Sequence, residues 1–324
     1  MVTLTRGQFV TMGAFALVAL CYAVAAPGPS RRTTPLARSE VHFQSDGTAK
    51  SSAQADAYRT VASGLRQRLS SDWNVVVHEP FVLGGDCPAS SLDATYRETV
   101  LPTTRALRIQ YFDHAPTWPI TILLCSSDAS YRDCNQRLDA RERSEYSGIY
   151  SRTEHRLVVN VATGDGTLAH ELTHALAHAD FPSLPEWLDE GLASLHEECE
   201  FSTDGLRLVG LGNWRGHVLL EAGQREPLRP ISDLASSRFA ATDRAAIDYA
   251  HARYFCLFLQ QRRLLEPFYR KCRSRAETDP NGIESLCELF AASHPREIET
   301  QFSAWLDKTT SVEQPHPARE SASR

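Results

Sequence analysis

The densest chemistry in the chain lies in His170-Glu171-Leu172-Thr173-His174. Two histidines four residues apart share one face of an α-helix, so both imidazoles reach a single metal ion. Glu171 follows the first histidine too closely to serve as a third ligand, and is placed instead to take a proton from a metal-bound water. The flanking residues predict elements that position the motif. Leu157 to Val161 reads as a strand, and Gly164, Asp165 and Gly166 as a turn. Thr167 can cap a helix running from Leu168 to about Ala179. Leu168, Leu172, Ala175, Leu176 and Ala179 form its apolar surface. The plainer alternative is a helix that simply carries three surface histidines, His170, His174 and His178.

A zinc site needs a third protein ligand. In the metzincin arrangement that ligand lies six residues beyond the second histidine, with a glycine midway and a methionine turn below the metal. Here the positions hold Asp180 and Ala177, and the only methionines are Met1 and Met12, which argues against that arrangement. Downstream, Pro182 and Pro185 close a loop before a helix that begins near Glu186, in the sequence Glu186-Trp187-Leu188-Asp189-Glu190-Gly191-Leu192-Ala193-Ser194-Leu195.

The segment HELTHAL followed by LPEWLDEGLASL resembles the gluzincin metallopeptidases, specifically the peptidase MA-like group, with similarity over about residues 95 to 265. The resemblance implies that Glu190, directly before Gly191, is the third ligand of one Zn2+ per chain. Glu186 is the first alternate and Asp189 a weaker one. It implies peptide-bond hydrolysis by a zinc-activated water, with Glu171 as general base and Gly191 letting the two helices approach closely. It implies an edge strand that pairs with an extended peptide. It also implies a donor to the developing oxyanion on a later helix, where Tyr249 matches best, ahead of His251 and Tyr254. Ser194 and Asp189 are the residues available to orient a ligand histidine.

Around this core the pattern predicts a helix from Ala55 to about Leu69 and a strand from Trp73 to Leu83, broken by Gly84-Gly85. A long helical stretch follows from Leu92 to about Phe112, then a strand at Pro119 to Leu124. Tyr146 to Tyr150 forms a small glycine–tyrosine segment, with Leu157 to Val161 as the edge strand after it. From Asp243 the chain reads as helical to about Leu306. The expected fold is α+β and zincin-like. A small mixed sheet with an edge strand precedes the HExxH helix, the C-terminal part is mainly helical, and the site lies in the cleft between them.

The 324 residues are 42% hydrophobic and carry a net charge of -6, with no Lys/Arg cluster able to track a phosphate backbone, so a nucleic-acid partner is not expected, and the peptide or protein substrate is what the resemblance implies. Phe9 to Ala26 is an almost unbroken apolar run, and Ala23-Val24-Ala25 fits a cleavage site. Residues 1–26 therefore read as a signal peptide or N-terminal membrane anchor, 27–54 as a linker, 55–310 as the catalytic domain with an α/β part to about 180, and 311–324 as a disordered tail. The expected location is exported: periplasmic, cell-envelope or extracellular. Beyond Cys21 there are seven cysteines and no CxxC. In an oxidising compartment this favours disulfides, with Cys125–Cys134 and two of Cys256, Cys272 and Cys287 available and one thiol left over; buried free cysteines are the alternative. A catalytically silent zinc-binding or peptide-binding envelope protein is the second functional reading.

Overall fold

In the computed structural model, residues 52–139, 147–236, 239 and 244–312 are described. The expected leader, most of the linker and most of the tail lie outside them, as does Tyr146. No helix among the described residues is long and apolar enough to cross a membrane.

The chain folds as α+β around a five-stranded mixed sheet of order β1-β2-β3-β5-β4. The strands are β1 (Asn74–His78), β2 (Phe81–Gly85), β3 (Ile120–Cys125), β4 (Gly148–Ser151) and β5 (Arg156–Asn160). Strands β2, β3 and β5 run parallel, while β1 and β4 flank them antiparallel. The parallel strands are apolar on both faces, as a sheet covered on both sides requires. Phe81, Leu83, Ile120, Ile122, Leu124, Leu157 and Val159 point into the larger core. Val82, Leu123, Cys125 and Val158 point the other way, onto α1 (Ser52–Arg68) and, beyond β3, α4 (Asp128–Asp139).

The larger core is closed by helices. First come α2 (Ala89–Thr95), a π turn over Tyr96–Val100 and α3 (Leu101–Gln110), which together make the predicted long helical stretch. The motif helix α5 (Asp165–Asp180) and the glutamate helix α6 (Glu186–Glu197) follow, then a two-stranded hairpin of β6 (Cys199–Phe201) and β7 (Leu208–Gly210). The C-terminal part holds α7 (Arg215–Arg225), α8 (Ile231–Ala235), α9 (Ala245–Gln261), α10 (Leu265–Ser274), α11 (Ile283–Phe290) and α12 (Pro295–Val312). The expected continuous helical run from Asp243 is thus four separate helices.

The structure corrects several local expectations. The single strand expected from Trp73 to Leu83 is a hairpin, β1 reversing into β2 at Glu79-Pro80 with His78 opposite Phe81. Proline lacks the N–H a ladder needs, so the chain turns there. Gly84-Gly85 does not break the strand. Both residues lie inside β2, where a Cβ would come within 2.9 Å of Leu123 Cδ2 or Leu92 Cδ2. Nor is the strand at Leu157 the sheet edge: β5 pairs on both sides, and the edge is β4, the glycine–tyrosine segment itself. Helix α5 begins at Asp165 and not after Thr167. Gly164, at φ 105, makes the entry turn in backbone space that suits glycine. Gly191 does not face α5. A Cβ there would meet Ala252 O and Cys256 Sγ at 2.7 Å, so the close approach it permits is between α6 and α9.

The seven described cysteines are free thiols, which corrects the disulfide expectation. Cys125, Cys134, Cys256 and Cys272 sit inside the two cores as small apolar groups. The neighbouring Cys134 thiol, together with burial, holds Cys125 well above the usual thiol range.

Candidate metal centre

Helices α5 and α6 pack side by side with their polar residues facing each other, and the candidate ligands meet at that seam. His170 Nε2 and His174 Nε2 are 3.1 Å apart, and Glu190 Oε2 lies 3.8 Å from the first and 3.6 Å from the second. Ligands held at about 2.0–2.1 Å from one tetrahedral ion are roughly 3.3 Å from each other. The three atoms match that spacing to within about half an ångström, and two imidazoles with one carboxylate form a donor set that suits zinc. His174 is buried, while His170 and Glu190 keep roughly a fifth of their side-chain surface open. The alternative of three surface histidines is therefore set aside.

The surrounding charge also asks for a cation. Burial pushes His174 down, but the Asp189 and Glu190 carboxylates outweigh it and raise the imidazole well above its ordinary range. Burial, with His174 next to it, lowers His170 to about 3, which keeps its ring neutral as a ligand must be. Asp189 resists burial because His174 and His178 hold it well below the usual carboxylate range. A divalent ion answers the same demand for positive charge that the proton on His174 otherwise meets.

Glu171 is buried beside the sheet edge. A Cβ on Gly148 of β4 would lie 2.7 Å from Glu171 Oε1 and 2.9 Å from its Cγ, so only glycine lets the strand pass so close. Burial pushes this carboxyl up to about 8, and the neighbouring carboxylates Glu190, Asp189 and Glu197 add to the shift against the opposing pull of His174.

The first three acidic residues of α6 have different partners. Glu186 Oε1 accepts the Phe239 N–H at 2.7 Å, which ties the chain before α9 to the start of α6. Asp189 turns to His174 Nδ1 at 2.6 Å and His178 Nε2 at 2.7 Å, and Glu190 points to the two Nε2 atoms. Of the two residues available to orient a ligand histidine, Asp189 does so. Among the described residues Ser194 Oγ is buried without a hydrogen-bond partner, and the Ser194 carbonyl accepts from Arg253. Asp180, at the metzincin ligand position, is at the far end of α5 and outside this group.

The candidate oxyanion donors on α9 have other neighbours. The Tyr249 ring packs edge-on against Phe239, with centroids 5.3 Å apart. Tyr254 Oη donates to Asn213 O at 2.8 Å and accepts from Asn213 N at 3.0 Å. His251 is buried and stacks on Phe302 at 5.3 Å. Burial, with Arg229 and Arg244 behind it, lowers His251 to about 4 from the ordinary 6.5. The unfolded chain takes up this proton below pH 6.5, whereas the folded chain takes it up only near 4. Stability is therefore complete above about 6.5 and lost as pH falls between the two values, by about 3 kcal/mol. Urea unfolding at pH 7 and near pH 4 should show a smaller acid loss in His251→Phe than in the wild type, and an equal loss would place the acid sensitivity elsewhere.

Sequence reasoning missed three features. Gly148 was read only as part of a family-like segment. His178 sat in plain view four residues after His174, but was read only as a possible surface residue. Arg215 carried no motif at all. It pairs with Glu197 at 3.0 Å, Glu197 packs on Gly166 one turn before His170, and the guanidinium charge helps to lower His170. When the chain was compared with known proteins, no family model and no curated protein matched it.

Proposed function

We propose that the chain is an exported zinc-dependent metallopeptidase with a zincin-like fold of the gluzincin kind, holding one Zn2+ through His170, His174 and Glu190. The observation that carries this reading is the convergence of those three ligand atoms beside Glu171, with Glu171 lying against the edge strand β4. Zinc at this site would polarise a substrate carbonyl and lower the pKa of a bound water toward neutrality.

The chain's own residues supply the rest. The outer edge of β4 lies at the end of the sheet order, and its backbone N–H and C=O groups suit pairing with an extended peptide. Such a peptide would run past Gly148, directly over the Glu171 carboxylate. Glu171 would hold the proton taken at Oε and return it to the departing amine. Asp189 holds His174 through Nδ1, which leaves Nε2 toward His170 Nε2 and Glu190 Oε2, the atoms that would hold the ion. Tyr249 is the proposed donor to the oxyanion. Tyr249→Phe should lower kcat on a peptide by about 100-fold with zinc content unchanged; an unchanged kcat would show that the donor is another residue.

Zinc binding tests the ligand set. Glu190→Ala should weaken zinc affinity by more than about 100-fold, beyond the loss that follows removal of a residue supporting a ligand. Glu186→Ala should leave zinc affinity close to wild type, since Glu186 serves Phe239. The reverse order would move the third ligand to Glu186. Activity is read separately, by mass-spectrometric cleavage of a diverse peptide library. Stoichiometric zinc with no cleavage would favour the silent zinc- or peptide-binding reading.

A further inference from the structure

Beyond the three ligands and Asp189, α5 presents a third histidine to the same seam. His170, His174 and His178 follow one another at four-residue intervals, and Asp189 bridges the last two. Its Oδ1 faces His174 Nδ1 at 2.6 Å and its Oδ2 faces His178 Nε2 at 2.7 Å, with all three side chains about nine-tenths buried. We propose that His178 is a positioning residue for the metal centre, acting through Asp189 to hold the His174 imidazole in ligating orientation. This inference rests on the zinc site proposed above.

The physical reason is the freedom of a carboxylate. An aspartate anchored through one oxygen can still rotate about its terminal bond, and that rotation carries the anchored oxygen off the His174 N–H. Fixing the second oxygen removes the motion. His178 is itself held. Its ring stacks on Tyr150 of β4, with centroids 5.8 Å apart and planes 21° apart. Its Nδ1 is buried without a hydrogen-bond partner among the described residues, so the described polar contact of this imidazole is the one to Asp189. A histidine needed only to fill space would be better replaced by an apolar side chain, because a buried nitrogen without a partner costs stability. The polar edge is used on Asp189 alone, which is the mark of a residue kept for orientation.

The test compares His178→Leu with His178→Gln in the full chain. Both lose the ring stacked on Tyr150, but only glutamine keeps an N–H able to reach Asp189 Oδ2. Zinc affinity is read by competition with a chromophoric chelator, ligand geometry by the visible spectrum of the Co2+-substituted protein, and folding by thermal melting of the chelated protein. His178→Leu should bind zinc about 10- to 100-fold more weakly and show an altered Co2+ spectrum, while His178→Gln should recover most of the affinity and the wild-type spectrum. The two variants should melt alike once the metal is removed. Equal zinc affinity in His178→Leu and wild type would overturn the inference, as would a glutamine variant as weak as the leucine variant. A wild-type chain that takes up no zinc would overturn the metal-centre reading itself, and is recognised before either variant is compared.

Discussion

Replacing Glu171 by Gln should lower peptide turnover by about 100- to 10,000-fold while leaving one zinc bound per chain. The two parts of this result separate a base from a ligand. Glu171 lies beside the His170–His174–Glu190 group without belonging to it, and its carboxyl borders the edge strand at Gly148. Glutamine keeps the shape but cannot hold a proton as a carboxylate does. The substitution should not harm the fold, because burial already pushes the carboxyl up to about 8 and a neutral amide suits the same space. The measurement pairs kcat on a cleaved peptide with metal content of the same preparation. Loss of zinc along with turnover would make Glu171 part of the metal site, and retained turnover would place the general base elsewhere.

Asp180→Ala should destabilise the chain by about 3–5 kcal/mol, the range expected when one partner of a buried charged network is removed. The Asp180 side chain has no exposed surface and closes α5 against two distant segments. It accepts the Asp113 N–H at 2.8 Å and the His114 N–H at 2.7 Å, beyond the end of α3. From α10 it accepts Tyr269 Oη at 3.0 Å and pairs with Arg273. Alanine would strand two backbone donors and a buried tyrosine hydroxyl, and leave Arg273 with only Asp113 among its described acidic partners. Urea denaturation at neutral pH measures the loss, which should be smaller in Asp180→Asn. A loss below about 1 kcal/mol would show that water or rearrangement replaces these bonds. The variant also bears on the ligand question. Zinc stoichiometry should survive in the folded fraction, because Asp180 stabilises the far end of the motif helix and lies outside the proposed ligand group.

These expectations depend on features that were legible to very different degrees. The motif was readable because helical spacing is local. Side chains four residues apart share a face whatever the helix packs against, so His170 and His174 could be paired without knowledge of the fold. The strand preceding the helix, the long helical stretch before it and the second helix starting at Glu186 were legible for the same reason, as runs of residues whose periodicity and caps carry their own geometry.

What lay beyond local spacing was set by packing. Glu186, Asp189 and Glu190 project from one helix at steps of about 100° per residue, and only the docking of α6 against α5 and α9 decides which finds a backbone amide, which a histidine nitrogen and which the ligand cluster. Gly191 could be read as a point of close approach, but not as an approach to Ala252 and Cys256. The sheet edge passed from Leu157 to Gly148 because strand order depends on which strands pair across long separations, and the hydrophobicity of β5 says only that it is buried. The sequence by itself determined a helix with two histidines on one face and a glutamate beside them, and a second helix rich in carboxylates. The tertiary structure decided which carboxylate faces the histidines, which strand borders Glu171 and what holds the ends of both helices, because each of those contacts joins residues that no local rule relates.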